Sequence, residues 1–123
     1  SLMEELRVCY LLHRLTSSEK APSGYQVLKM ATRGSARLLG RDDIGQLSVG
    51  KCADLFLVDS RRLELVGGLY DPKSVLGTVG LRGPVDYTVV QGRVTVEHGH
   101  LVTVDEEKLA HDAEAKCRAY LNR

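Results

Sequence analysis

Cysteine is scarce in this chain. Of 123 residues only three are cysteine, and Cys9, Cys52 and Cys117 stand far apart with no C-x-x-C spacing. That argues against a disulfide framework and a zinc knuckle, leaving small buried thiols in a reducing cytoplasm as the expectation. Charge of one sign is lacking as well. Seventeen Lys and Arg face sixteen Asp and Glu, a formal net charge of +1, so no electrostatic footprint points to nucleic acid or an anionic membrane as a partner. Long apolar runs are missing. The stretch 8–12 ends at His13 and Arg14, far short of the about 20 residues that span a bilayer. Glu4 and Glu5 stand where a secretory leader carries basic residues, so none is expected. The chain also lacks a phosphate-cradling loop. Gly50-Lys51-Cys52 has neither the upstream glycine nor a Ser or Thr after the lysine, and no G-x-S-x-G nucleophile turn occurs. There is no internal repeat. The length falls below the roughly 200 residues that a complete (β/α)8 barrel needs.

What is present reads as an ordinary core-forming chain, with 43% hydrophobic residues to bury and 27% charged residues to cover them. Residues 2–15 predict a helix. Its polar stripe is narrow, Glu4, Arg7 and Arg14, so the helix is expected to lie wedged between neighbours. Ser23 and Gln26 have the spacing of a capping box at a second helix start. Leu28, Ala31, Ser35 and Leu38 are expected along one face of that helix. Gly34 and Ser35 suggest close approach of another backbone, and Gly40 closes the helix as a C′ glycine.

A polar break at 41–43 leads into β-type sequence. Residues 55–58 form a short apolar run between Asp54 and Asp59, the pattern of a strand buried on both faces. Asp71-Pro72 predicts an N-cap and first helical position for a short helix running to about Val79. Runs 85–90 and 93–96 flank Gln91-Gly92, which is hairpin spacing. A second turn around Gly99 precedes a third strand at 101–103. Asp105 caps a last helix with Glu106 and Glu107 at its positive end and Arg118 and Arg123 at its negative end. Its apolar face is Leu109, Ala113, Cys117 and Tyr120. The fold class is α+β, without the regular βαβα alternation of a self-contained parallel sheet.

Candidate chemistry is thin. His98-Gly99-His100 has the two-residue spacing that lets a strand share a metal. Gly99 places the pair in a turn, where that alternation fails, and Glu97 is too close in sequence to converge. His13 on the apolar helix reads as a packing histidine, and His111 as solvated. Asp42-Asp43 and Glu106-Glu107 read as a turn and a helix start, and Arg61-Arg62 as a solvated pair. No catalytic, cofactor-binding or metal-ligating residue is assigned.

The run IGQLSVGKCADLFLVD, residues 44–59, carries Ile44, Gly45, Leu47, Gly50, Lys51, Ala53, Asp54, Leu55 and Asp59 in the pattern I-G-x-L-x-x-G-K-x-A-D-L-x-x-x-D. Gly45 and Gly50 allow turns closed to a Cβ, and Ala53 lets two backbones approach. This run resembles the segment that follows the barrel in the amidohydrolase superfamily. Ala31-Thr32, Gly34 and residues 36–40 are similar to the family's A-T-x-x-x-A-x-x-L-G helix end. Val89-Val90 with Gly92-Arg93-Val94 is similar to its late hairpin. Asp71-Pro72 and residues 104–107 resemble connecting segments of the branch that holds 8-oxoguanine deaminases and the hydroxyatrazine and atrazine hydrolases.

The resemblance implies a carboxy-terminal piece with an incomplete fold. Residues 1–40 would be the last helices of a (β/α)8 barrel. Residues 41–104 would be the C-terminal half of a small β-sandwich with a short inserted helix, and 105–123 a closing helix. It implies a parent enzyme, holding zinc or iron, that hydrolyses a C–N bond on a nitrogen heterocycle such as an oxidised purine. The alternatives are a triazine chlorohydrolase or aminohydrolase fragment, and a self-contained interaction module. The family's H-x-H, its single histidines and its strand-end Asp have no counterparts here, so the chain alone is expected to be inactive. Its expected partners are the missing N-terminal barrel portion and further copies of itself, joined through unpaired strand edges.

Overall fold

A computed structural model describes residues 1–122. The chain divides into two compact units, one comprising 1–52 with 59–83 and the other 53–58 with 84 onward. These divisions differ from the sequence-based segments 1–40, 41–104 and 105–123. Here 41–52 and 59–83 belong with the helices, while 53–58 belongs with the late strands.

The first unit is helical. Helix α1 spans Leu2–Ser17 and α2 spans Gly24–Lys29. Ser23 starts α2 as its sequence spacing predicts. The Gln26 N–H donates to Ser23 Oγ at 3.2 Å and the Ser23 N–H to Gln26 Oε1 at 2.7 Å, satisfying two donors left over at the helix start. A π-helical turn, Met30–Gly34, then joins α2 to α3, Ser35–Leu38.

That turn carries one more residue than an α-turn, and it changes which residues face inward. Gly24, Val27 and Ala36 are buried and Ala31 is half-buried, while Ser35 and Leu38 are exposed. The expected face of Leu28, Ala31, Ser35 and Leu38 therefore fails at its C-terminal end, because a strict 3.6-residue period does not survive a wider turn. Gly40, at φ +66°, ends the helix. The Arg41 N–H reaches back to the Ala36 carbonyl at 2.9 Å, the long-range bond of a Schellman closure.

The close backbone approach lies elsewhere than at Gly34, whose nearest neighbours are ordinary contacts from its own helix. Helix α4, Val75–Thr78, packs its Gly77 against Gly24. It starts later than Asp71-Pro72 suggests: residues 72–74 form a turn, closed by the Ser74 N–H on the Asp71 carbonyl at 3.1 Å. Arg7 on α1 donates to the Val79 carbonyl at 2.7 Å, tying α1 to the end of α4. The buried side chains here are Leu6, Val27, Ala36, Leu65 and Leu81. Leu6 is the one buried residue of α1, while Leu2, Leu11, Leu12 and Leu15 are exposed. Within the described residues α1 is thus covered on one side only, not wedged.

The second unit holds a four-stranded antiparallel sheet in the order β1-β2-β3-β4. The strands are β1 Leu55–Leu57, β2 Tyr87–Val90, β3 Arg93–Glu97 and β4 His100–Leu101. Leu55 lies opposite Val89 and Leu57 opposite Tyr87. Gln91 and Gly92 both take positive φ, 50° and 77°, the backbone of a tight hairpin turn whose twist matches its strands. His98 and Gly99 repeat it at 50° and 82°. The third expected strand is shorter and earlier than 101–103. Strand β1 also differs from its expected burial on both faces: Leu55 is half-buried, and Phe56 and Leu57 are exposed. Helix α5, Glu106–Leu121, is capped by Asp105, whose carboxylate accepts from the Lys108 N–H at 2.9 Å. Its apolar face is exposed throughout. Cys9 and Cys52 are half-buried and Cys117 is exposed, so the thiols are less enclosed than their type suggests.

Candidate functional site

The polar side chains form small, separate clusters, each fastening a turn. The first lies in the glycine-rich run after α3. Arg41 donates to both oxygens of Asp43, Nε to Oδ1 at 2.9 Å and a terminal nitrogen to Oδ2 at 2.6 Å. The Cys52 thiol donates to Asp43 Oδ2 at 3.2 Å, and the Cys52 N–H to the Asp43 carbonyl at 2.8 Å. The Arg41 guanidinium and then the thiol hold the Asp43 carboxyl well below the usual carboxylate range. Lys51 Nζ donates to the Asp42 carbonyl at 2.6 Å. The loop is closed on itself, and Gly45 is pressed against the π-turn and α3, where a Cβ would stand 2.8 Å from the Thr32 carbonyl oxygen and 3.0 Å from the Ala36 Cβ.

At the mouth of the first hairpin, Asp54 Oδ1 accepts from the Gln91 N–H at 2.7 Å. Beyond β1, Arg61 grips Asp59 through its side chain and its own backbone N–H. This lowers the Asp59 pKa to about 2. Arg62 is half-buried and paired with Glu64 at 3.9 Å, while the Arg61 side chain stays largely solvated as it holds Asp59.

The two spaced histidines are drawn to different partners. His98 meets Tyr87 edge-on, with ring centroids 5.1 Å apart and the phenol oxygen 3.1 Å from Nε2. His100 Nδ1 lies 2.9 Å from Glu106 Oε2, and Glu106 Oε1 accepts the Leu101 N–H at 3.1 Å. These contacts, the histidine first, lower the Glu106 pKa. Glu106 is thus both a first-turn acid of α5 and a clasp onto β4. His13 is exposed, not packed, and His111 is exposed on α5.

Among the described residues no three His, Cys, Asp or Glu side chains come together as a metal could use them. The donor set does not fit a metal, and no reaction step follows from these residues. An open groove between α1 and the segment after α4 is lined by Glu4, Arg7, Val79 and Arg82, but the Arg7 guanidinium there already serves the Val79 carbonyl. No described helix is long and apolar enough to cross a membrane.

Sequence reasoning missed the Asp54–Gln91 bond and the Asp43–Cys52 pair. Asp54 stood in the quoted motif as the residue opening a strand, and the hairpin spacing of Gln91-Gly92 was legible. Their meeting depends on the sheet register, which sequence periodicity does not supply.

Comparison with known proteins gives these turns a context. The sequence profile described as the amidohydrolase family matches residues 1–95. The chain belongs to the amidohydrolase family. Hydroxydechloroatrazine ethylaminohydrolase of Pseudomonas sp. (strain ADP) is 43% identical over 96% of this amidohydrolase chain, which spans 25% of that protein. Atrazine chlorohydrolase from Arthrobacter aurescens TC1, solved with zinc, superposes with a TM-score of 0.82 at 36% identity, covering 92% of this chain and 25% of that one. An adenosine deaminase from Xanthomonas campestris with bound zinc gives 0.87 at 28% identity, covering 99% and 28%. The chain therefore spans about a quarter of the length of the relatives it matches.

Proposed function

We propose that these residues form the carboxy-terminal part of a metal-dependent amidohydrolase that hydrolyses an amino group from a nitrogen heterocycle. The observation that carries this reading is the likeness along nearly the whole chain to proteins named for acting on triazines and on adenosine. On this reading residues 1–40 are the last helices of a (β/α)8 barrel, 41–104 are the C-terminal half of a β-sandwich, and 105–123 close the chain. Such a site takes its metal, zinc or iron, from residues outside this sequence; bound there, the metal would supply an activated water.

The role of this chain is support. The glycine run and its Arg41–Asp43–Cys52 cluster hold the crossover from helix to strand, and the exposed faces of α1 and α5 offer surface to the rest of the enzyme. The chain alone is inactive, because the family's metal-holding positions have no counterpart in its sequence. The cytoplasm is its place of action, in keeping with three cysteines that are not joined in disulfides.

The substrate we propose is an oxidised purine. A triazine is the second reading, favoured by the 43% identity to a triazine aminohydrolase. The test is the coding sequence upstream of Met3, followed by assays of the longer protein. An in-frame H-x-H strand and an Asp-bearing strand just before Met3 support the enzyme. A start signal preceded by a stop codon overturns it in favour of a self-contained module. Ammonia release from 8-oxoguanine, against release of amine or chloride from triazines, separates the two substrates.

A further inference from the structure

We draw no further inference here: the strongest candidate, the open basic groove along α2 and α3 lined by Gln26, Lys29, Met30 and Arg37, carries no partner, because this chain spans about a quarter of the length of the relatives it matches and nothing in the structure shows what covers that face.

Discussion

Gly24 and Gly77 meet backbone to backbone: a β-carbon built on Gly77 would lie 2.8 Å from the Gly24 α-carbon and 2.9 Å from its carbonyl oxygen. Alanine is a better helix former than glycine, so propensity alone would have Gly77→Ala stabilise α4. The contact decides the sign the other way, because the opposing atoms are main chain and cannot swing aside. The substitution is expected to destabilise the chain by about 1–3 kcal/mol, as overpacking does. A drop in the chemical denaturation midpoint at unchanged slope checks it.

The start of α2 offers an independent measurement. Ser23→Ala removes the acceptor for the Gln26 N–H and is expected to cost about 1 kcal/mol. Asparagine at the same position supplies another side-chain acceptor and should recover most of the loss. The thermal midpoints of the two variants are to be compared with that of the parent chain.

Asp54 anchors a turn from the opposite side of its hairpin. Its carboxylate takes the Gln91 N–H, and Gln91 is a non-glycine residue at φ 50°, a conformation that needs outside support. Asp54→Ala is expected to speed amide exchange at Gln91 roughly fivefold, the value of one net hydrogen bond. Asp54→Asn keeps an acceptor oxygen and should leave exchange close to that of the parent. Equal acceleration in both would mean that the turn stands without this bond.

Acid should act through Asp59. Its pKa is lowered from an ordinary 3.8 to about 2, first by the Arg61 side chain and then by the Arg61 backbone N–H. A carboxyl whose folded pKa is depressed adds stability that is complete above its unfolded value and is lost as pH falls through the folded one. The contribution of Asp59 should therefore fade between about pH 4 and pH 2. In an NMR titration of the side-chain carboxyl, Arg61→Ala is expected to move the midpoint upward yet short of 3.8, because the backbone donor stays.

Local signals were the readable part of this fold. Ser23 and Gln26, Gly40, Gln91-Gly92 and Asp105 each announce a cap or turn through chemistry confined to a few neighbouring residues, and each takes that role in the structure. Two kinds of information were not readable. The π-turn at Met30–Gly34 adds a residue to the helix, so a face extrapolated from Leu28 arrives at Ser35 and Leu38 when the buried residue is Ala36. Burial also depends on what covers an element. The apolar faces of α1 and α5 and the run of β1 have the sequence of enclosed segments, yet Leu12, Leu109 and Leu57 are exposed. The histidine pair shows the same limit at the candidate site. Spacing places His98 and His100 near one another, but the ring of one goes to Tyr87 and that of the other to Glu106, and neither partner is implied by the spacing.

The pairing of Leu55 with Val89 sets an order of events during synthesis. Strand β1 is made before β2, and the whole of 59–83 must follow before that partner appears. Through that interval the apolar triplet Leu55-Phe56-Leu57 lacks the β2 partner that it has in the finished sheet. Pairing across so long a separation is slow to nucleate, and unpaired strands are what nascent chains on neighbouring ribosomes can seize. The time taken to make 59–83 is thus a window of vulnerability, and growth temperature or translation speed should affect yield.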